Sequence, residues 1–242
     1  MNENKSKFLN FIKNRFNINS KNGLYLTIGF ILVSIFTYIF FNFIEGLFGN
    51  DETLAATDLN LLNRIQDLRT PFLNKFMLLV TYLGNWQTIL IMSIIIIFIF
   101  AIFKKWKFII ALSISSIFGE VFVYTAKNII KRQGPPLRFL LLLEKDFSFP
   151  SGHSFISIAF YGLLFYFIFD FAKSKFIKIL SIFAGCSVVF LISFSRIYLG
   201  VHWPSDVFAS LASGIVTITI IITFLKIDGR FGLIKQPKNK NS

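Results

Sequence analysis

The sequence predicts an all-α, polytopic membrane protein with six transmembrane helices and one short interfacial or re-entrant helix between the first two. Two observations support this prediction. Of the 242 residues, 55% are hydrophobic and only 15% are charged, whereas roughly 25% of the residues in a soluble domain are charged. The hydrophobic residues also fall in blocks of about 20, the length that a helix needs to cross the hydrocarbon core of a bilayer.

Six blocks of the sequence qualify as spans, and one predicted membrane domain at residues 24–226 contains them all. The blocks cover residues 24–44, 87–104, 108–130, 153–171, 176–194 and 207–225. Basic tails at residues 1–23 and 227–242 flank this domain. Residues 5–18 place apolar side chains near one helical face, which predicts an amphipathic helix on the inner membrane surface.

The segment between the first two spans has two parts. Residues 45–70 contain five Asp or Glu side chains, and we expect them to form an external loop. Residues 72–84 are apolar but too short to span, which predicts the interfacial or re-entrant helix. That helix serves either as a membrane anchor or as an element that admits a lipid substrate.

Lysine and arginine are placed so that they predict which side of the membrane each loop occupies. The formal net charge is +13, and the basic clusters fall within residues 5–21, 104–107, 173–178 and 226–240. These segments alternate with the spans so that all four share one side, which the positive-inside rule makes cytoplasmic. Both termini are then inside the cell membrane, and the segments that carry polar motifs face outside. Topology and anionic headgroups account for the positive charge, so no nucleic-acid partner is predicted.

The first polar motif, Pro150-Ser151-Gly152-His153, opens the fourth span. Ser151 is a good helix cap, and the free N–H groups of a first helical turn bind phosphate readily. Gly152 lets a phosphate approach the backbone closely, and His153 is placed to give a proton to a leaving oxygen. Taken alone, the motif also fits an ordinary Ser-capped helix with an interfacial histidine.

The second motif, Ser195-Arg196 followed by His202 and Asp206, lies between the fifth and sixth spans. Asp206 comes four residues after His202, so its carboxylate can reach back about one turn to the imidazole. Such a contact fixes the tautomer and leaves the other ring nitrogen free to attack. Arg196 supplies a planar fork that suits phosphate oxygens. A His-x-x-x-Asp pair is a weak signal when it stands alone.

A third cluster, Lys127 with Arg132, ends the third span. Charged residues at membrane depth are costly and usually functional, although a lysine at a helix end can simply extend to the headgroups. Glu120 lies seven residues before Lys127, on roughly the same helical face. It is placed either to orient Lys127 or to face another buried polar group.

All three clusters lie at the predicted outer ends of spans, and together they resemble one family. The type 2 phosphatidic acid phosphatases, or lipid phosphate phosphatases, have a signature of Lys-x6-Arg-Pro, Pro-Ser-Gly-His and Ser-Arg-x5-His-x3-Asp. The second part matches in full at 150–153 and the third at 195–206, and the six-span layout is also similar. The resemblance covers about residues 25–225, and the third motif is specific.

The first part of the signature is incomplete. The family pattern that starts at Lys127 expects arginine at position 134, where this chain has Gly134. Arg132 matches an earlier arginine that many members carry, and Arg132 or Arg138 is a candidate to replace the missing ligand. Loss of one charge-assisted hydrogen bond costs roughly 1.5–3 kcal/mol, so the gap predicts weakened catalysis, altered substrate choice or compensation.

The resemblance implies a mechanism and a substrate class. Lys127, Arg132, Arg196 and the backbone around Ser151 and Gly152 would bind phosphate. His202 would attack phosphorus to form a phosphohistidine, Asp206 would orient it, and His153 would protonate the leaving oxygen. The substrate would be a lipid phosphate or diphosphate at the outer membrane face, such as undecaprenyl diphosphate, phosphatidylglycerophosphate or phosphatidic acid.

No metal or other cofactor is predicted, because both histidines have roles and no carboxylate cluster suits magnesium. The single cysteine, Cys186, lies inside a span and allows no intramolecular disulfide. Three alternatives stay open: a phosphotransferase of the same fold, a weakened or non-catalytic lipid-binding member, and a transporter. Polar residues at span ends rather than at mid-span argue against the transporter.

Overall fold

The computed structural model describes residue 16 and residues 18–49, 51–144 and 146–227. Within these ranges the chain forms eight helices and one short 3₁₀ turn at Leu137–Phe139. The helices are α1 (Lys21–Phe48), α2 (Glu52–Gln66), α3 (Pro71–Tyr82), α4 (Trp86–Ile102), α5 (Trp106–Ile130), α6 (Gly152–Phe171), α7 (Lys175–Tyr198) and α8 (Pro204–Ile227). One π-helical turn, Ser157–Gly162, lies inside α6.

Five of these helices, namely α1, α5, α6, α7 and α8, are each long and apolar enough to cross a membrane. The pair α3 and α4 meets the same condition jointly, with a bend of 51° between its two members. If this pair is counted as one span, the spans number six, and α3 lies where the sequence predicts the short helix. The predicted fold class is therefore confirmed.

Helix α2 corrects the prediction of an external loop at residues 45–70. Asp51 caps this helix by accepting hydrogen bonds from the N–H groups of Thr53 (2.8 Å) and Leu54 (3.4 Å). Leu62 is fully buried and packs with a cluster that includes Phe139 and residues of α7 and α8. The acidic composition suggested a loop because a single buried face supplies too few apolar residues to stand out.

Two predictions fall on residues outside the described ranges. Of the predicted amphipathic helix at residues 5–18, the structure describes only residues 16 and 18. Of the predicted basic tail at residues 227–242, it describes only residue 227. The predicted boundaries of the two tails therefore stay predictions.

The chain divides into two compact units. One contains residues 1–35 and 219–242, and in it a Cβ on Gly29 would lie 2.3 Å from Oγ1 of Thr223. The other contains residues 36–218 and holds every residue of the candidate site.

The larger unit packs apolar side chains directly behind the motif segments. Phe149, which precedes the Pro150 motif, is fully buried against Phe40, Ala209 and Ala212. A second cluster contains Tyr198, Leu199 and Val201, which lie between Arg196 and His202 in the chain, together with Met77 of α3. Burying each large side chain contributes about 1.5–3 kcal/mol, so the motifs are held by the core next to them.

Gly200 makes the turn between Arg196 and His202. Its φ is +75°, and a Cβ at this position would lie 2.0 Å from the carbonyl oxygen of Phe139. Glycine adopts this left-handed conformation without the penalty that other residues pay. The turn is closed by the N–H of Val201, which donates to the carbonyl of Arg196 at 3.2 Å.

Candidate active site

The three polar clusters meet at one end of the helices in the larger unit. Lys127 lies in the last turn of α5 and Arg196 in the last turn of α7, while Ser151 caps α6 and Asp206 lies in the first turn of α8. The structure therefore brings together the segments that the sequence predicted to share a side.

His202 is the central side chain of the site, and it is only 2% exposed. Its Nδ1 donates a hydrogen bond to the backbone carbonyl of Ser148 at 2.7 Å. A carbonyl only accepts, so this contact places the proton on Nδ1 and leaves Nε2 as the basic nitrogen. The distance from Nδ1 to Oδ2 of Asp206 is 3.8 Å, so Ser148 is the closer orienting group. Sequence reasoning missed it because a backbone carbonyl leaves no mark in the residue type.

Asp206 is fully buried and both of its oxygens have partners. Oδ2 accepts a hydrogen bond from the N–H of Trp203 at 2.9 Å, and Oδ1 forms an ion pair with Nη1 of Arg132. The carboxylate is thus fixed beside the imidazole of His202, with its negative charge available to the ring.

The guanidinium of Arg132 is engaged by carboxylates in this structure. Its Nη1 contacts Asp206 and donates to the Ser205 hydroxyl at 2.7 Å, and its Nη2 donates to Oδ2 of Asp58 at 2.7 Å. The guanidinium also stacks over the Trp203 ring at 5.5 Å from the centroid. The sequence predicted a phosphate ligand here, and the structure places a bridge between two carboxylates.

Asp58 is the site residue that the sequence most clearly missed. It comes from α2, is 2% exposed, and accepts from the N–H of Ser205 (2.8 Å) and from its hydroxyl (2.5 Å) in addition to Arg132. The only available signal was a single Asp among polar neighbours, in a segment that we expected to be a loop.

Arg196 is fully buried, and its guanidinium is only partly satisfied. Nη1 donates to the Thr81 hydroxyl at 2.6 Å, and Nη2 forms an ion pair with Oε1 of Glu144. Nε is buried and has no hydrogen-bond partner. A buried cation with an unused donor is well suited to a bidentate anion such as phosphate.

Glu144 lies between the two groups that would handle the phosphate. Oε1 contacts Arg196, and Oε2 lies 3.4 Å from Nε2 of His202. Burial raises the pKa of Glu144, but Arg196, His202 and Lys127 lower it more, so the pKa falls below its ordinary value of 4.5. The carboxylate therefore stays ionised. No motif in the sequence singled out this residue.

Lys127 is 16% exposed and lies 3.8 Å from a carboxylate oxygen of Asp146. Both Lys127 and Arg196 help to lower the pKa of Glu144 through their positive charge. Glu120, which the sequence placed near Lys127 or near another polar group, instead lines an apolar groove on the surface of α5.

The Pro-Ser-Gly-His segment forms the predicted capped helix start. The Ser151 hydroxyl accepts from the N–H of Ser154 at 3.4 Å. Gly152 is the first residue of the helix, where N–H groups lack intrahelical partners. His153 donates from Nε2 to Oδ1 of Asn85 at 2.7 Å. The sequence did not predict this last contact.

The bend between α3 and α4 lies against the imidazole of His153. Gly84 lies so close to this imidazole that a Cβ on it would be 2.7 Å from Cδ2 of His153. The hydroxyl of Tyr161, on α6, donates to the carbonyl of Leu83 at 2.8 Å. The bend and Asn85 therefore fix the orientation of the ring.

Gly134, which stands where the family pattern has arginine, is exposed and borders the site. A Cβ there would be 3.7 Å from the carbonyl of Val201 and 3.8 Å from Cβ of Ser148, which is ordinary contact. Arg138 lies over the Phe139 ring, 4.7 Å from its centroid. Arg132, which pairs with Asp58 and Asp206, and Arg138 thus make other contacts in this structure.

A groove with a volume of about 590 Å³ runs between α4 and α5 near the site. Its lining is mainly apolar, with a few serines and Glu120. Trp86 and Ile156 belong to this lining; Trp86 follows Asn85 in the chain, and Ile156 lies one turn after His153. The groove thus begins beside the predicted proton donor.

Among the described residues, no group of three or more His, Cys, Asp or Glu side chains is arranged to hold a metal ion. The ionic groups of the site instead pair with one another.

Comparisons with known proteins identify relatives of this chain. The family model described as the PAP2 superfamily matches residues 104–230. The phosphatidylglycerophosphatase B of Bacillus subtilis (strain 168) is 33% identical over 162 residues, which are 65% of this chain and 77% of that protein.

Two solved structures are also similar. The crystal structure of a transmembrane PAP2-type phosphatidylglycerolphosphate phosphatase from Bacillus subtilis aligns with a TM-score of 0.73 and 26% identity, covering 81% of this chain and 98% of that one. The crystal structure of Aquifex aeolicus LpxE aligns with a TM-score of 0.50 and 28% identity, covering 69% and 93%. The chain therefore belongs to the PAP2 superfamily and is a membrane-integral, metal-independent lipid phosphatase.

Proposed function

We propose that this phosphatase removes the terminal phosphate of a membrane lipid phosphate or diphosphate through a phosphohistidine on His202. One observation carries the proposal. The basic Nε2 of His202 and the buried guanidinium of Arg196, with its unused Nε donor, both face a single anion position that the Glu144 carboxylate holds.

In the first step, Nε2 of His202 attacks phosphorus and the bond from phosphorus to the lipid oxygen breaks. His153, protonated on both nitrogens, keeps its hydrogen bond to Asn85 and gives its other proton to that oxygen. In the second step, His153 takes a proton from water, the resulting hydroxide attacks phosphorus, and the phosphorus–nitrogen bond breaks. Phosphate leaves, and both histidines return to their starting states.

The cations supply most of the catalytic stabilisation in this scheme. Arg196 and Lys127 face the equatorial oxygens, where charge is spread in the transition state. N–H groups at the start of α6, around Ser151 and Gly152, add donors from a helix terminus. Removal of one such donor typically costs about 10²–10³ in kcat.

Asp58, Arg132 and Asp206 act as a positioning network rather than as phosphate ligands. Arg132 holds Asp206 against the helix start, and Asp206 balances the positive charge that His202 gains when it attacks. Asp58 anchors Arg132 and the backbone of Ser205 from α2.

The substrate is a lipid because an apolar groove includes Trp86 and Ile156, which are chain neighbours of Asn85 and His153, and the surrounding helices expose large apolar side chains. The name of the Bacillus subtilis relative favours phosphatidylglycerophosphate, while undecaprenyl diphosphate and phosphatidic acid fit the same chemistry. The basic loops at the opposite helix ends favour a site on the outer face of the cell membrane. A C-terminal tag that is protected in intact cells supports this orientation, and an accessible tag contradicts it.

Gly134 favours a second candidate, a weakened phosphatase or a lipid-binding member without turnover. The two candidates are separated by phosphate release from purified protein on phosphatidylglycerophosphate, phosphatidic acid and undecaprenyl diphosphate. Release that continues in chelator, and that disappears in His202→Ala and His153→Ala, supports the phosphatase. An added alcohol that becomes phosphorylated would instead identify a phosphotransferase.

The covalent step has its own test. Substrate labelled on the terminal phosphate should leave an acid-labile adduct on the wild type and none on His202→Ala. Arg64→Ala is the matched control, because this exposed arginine pairs with Asn60 on α2 and has no proposed role, so it should change neither release nor labelling. Full activity in His202→Ala would contradict the mechanism.

A further inference from the structure

The segment between Leu141 and Ser148 carries an acidic side chain into the site. Its two ends are fixed: the N–H of Leu141 donates to the carbonyl of Leu199, and the N–H of Ser148 donates to the carbonyl of Arg132, both at 2.9 Å. Glu144 lies between these anchors, and its side chain is 29% exposed. The segment thus brings a carboxylate from the solvent side onto the two groups that the reaction needs.

Glu144 and a substrate phosphate exclude each other. Its Oε2 is 3.4 Å from Nε2 of His202, and reacting atoms must come within about 3–3.5 Å of each other before attack. Its Oε1 also forms an ion pair with Nη2 of Arg196. A phosphate that is positioned for attack must therefore displace this carboxylate.

The carboxylate fills the anion position incompletely. It leaves Nε of the fully buried Arg196 without a partner. A phosphate group offers more acceptor oxygens and can engage Nε and Nη2 together. A phosphomonoester also carries about −1.5 to −2 charges at neutral pH, whereas a carboxylate or a phosphodiester carries one.

We propose that Glu144 is a built-in competitor for the anion position, which phosphomonoester and diphosphate headgroups displace and which singly charged phosphodiester lipids displace poorly. The inference rests on the proposed function. A phosphodiester headgroup that displaces Glu144 replaces one negative charge by another and gains little, while a terminal phosphate gains both charge and hydrogen bonds. Glu144 therefore keeps the abundant phosphodiester lipids of the bilayer out of the site.

The same exchange disfavours a product that is itself a phosphodiester lipid. Such a product loses the terminal charge that displaced Glu144, so the carboxylate competes successfully once phosphate has gone. Glu144 thus promotes release of that product as well as discrimination at entry.

The test compares Glu144→Gln with wild type and with Glu45→Gln, an exposed glutamate away from the site. Steady-state release from a lipid phosphomonoester in detergent micelles gives kcat and KM, and phosphatidylglycerol is added as a competing phosphodiester. In Glu144→Gln we expect the inhibition constant of phosphatidylglycerol to fall about tenfold, the effect of one charge-assisted contact. The KM of the monoester should fall by a similar factor, because the monoester must displace the same carboxylate, and Glu45→Gln should match wild type.

The outcomes separate this inference from the proposed function. Wild type that releases no phosphate from any lipid phosphate defeats the proposed function. Active wild type with an unchanged phosphatidylglycerol inhibition constant in Glu144→Gln overturns the competitor role. A folded Glu144→Gln that loses turnover also overturns it, because a competitor is not needed for chemistry. If Glu144→Gln does not fold, Glu144→Asp is tested by the same inhibition constant of phosphatidylglycerol. Its shorter side chain keeps the charge but cannot bridge both partners.

Discussion

Replacing Arg132 with glutamine tests whether this side chain organises the site or binds phosphate. The change removes one positive charge and the ion pairs to Asp58 and Asp206. These two carboxylates are 2% and 0% exposed, so water cannot replace the lost cation. The variant is informative because the two roles predict opposite results in the absence of substrate.

The expected loss of stability follows from burial. Removing one partner of a buried ion pair typically costs about 3–5 kcal/mol. The Arg132 side chain is 16% exposed, and the retained amide can still donate, which places the cost near the lower end, at about 3 kcal/mol. For a chain of this size, each kcal/mol lowers the melting temperature by roughly 2–4 °C, so the shift should be about 6–12 °C.

The assay is thermal unfolding of ligand-free protein in detergent, followed by tryptophan fluorescence. Trp203 stacks on Arg132 and therefore also reports local loosening. Arg64→Gln is the matched control and should leave the melting temperature unchanged, because this arginine is exposed and contacts Asn60 on its own helix. The kcat of Arg132→Gln should fall by roughly 10²-fold, the usual cost of about 1 Å of misplacement, while inhibition by inorganic phosphate should change little.

One result would refute this reasoning. If Arg132→Gln keeps the wild-type melting temperature and binds inorganic phosphate about 10–100-fold more weakly, as loss of a charged hydrogen bond implies, Arg132 is a phosphate ligand. Arg196→Gln provides the comparison, since its loss should weaken phosphate binding in that range.

Three further predictions follow from single positions. Gly200→Ala should lower both melting temperature and kcat, because its Cβ would meet Phe139 at 2.0 Å in a left-handed backbone; Gly134→Ala, with ordinary contacts at 3.7 Å, is the control, and a fully active Gly200→Ala would contradict the positioning of His202 by this turn. Gly134→Arg should lower the KM of a lipid phosphate by about tenfold by adding a charged donor, and an unchanged KM would show that the side chain does not reach the phosphate. Because the folded-state pKa of Glu144 is depressed, its stabilising effect is present above its ordinary pKa of 4.5 and is lost as pH falls through the folded value. The melting-temperature difference between wild type and Glu144→Gln should therefore stay constant from about pH 8 to 5 and shrink only in more acidic buffer. A difference that vanished near pH 6 would show that the carboxylate is not held ionised.

Motif spacing located the reacting residues but not their partners. His202, Asp206 and Arg196 come from one short stretch, where the order along the chain limits how far apart they can lie. Asp58 lies more than 140 residues before Asp206 and outside the matched family segment, so no local pattern connects them. Arg132 was predicted from the same motif logic, but Asp58 and Asp206 engage its guanidinium, and this follows from packing.

Helix boundaries also divide into those that the sequence predicts and those that packing decides. The spans were predictable because about 20 apolar residues are a physical requirement of the bilayer. Helix α2 and the 51° bend between α3 and α4 depend on what lies against them: Leu62 needs the α7–α8 cluster, and Gly84 needs His153. Such contacts leave only weak traces in composition.

By itself, the sequence determined the membrane architecture and the phosphatase family, because hydrophobic length and a specific motif are properties of the chain taken in order. Only the tertiary structure decided which groups face each other at the reacting nitrogen: the Ser148 carbonyl on Nδ1, the Glu144 carboxylate against Nε2, and Asn85 on the second histidine. The physical reason is that hydrogen bonds and ion pairs act over a few ångströms of space. Folding brings into that range residues that are separated by tens of positions in the chain.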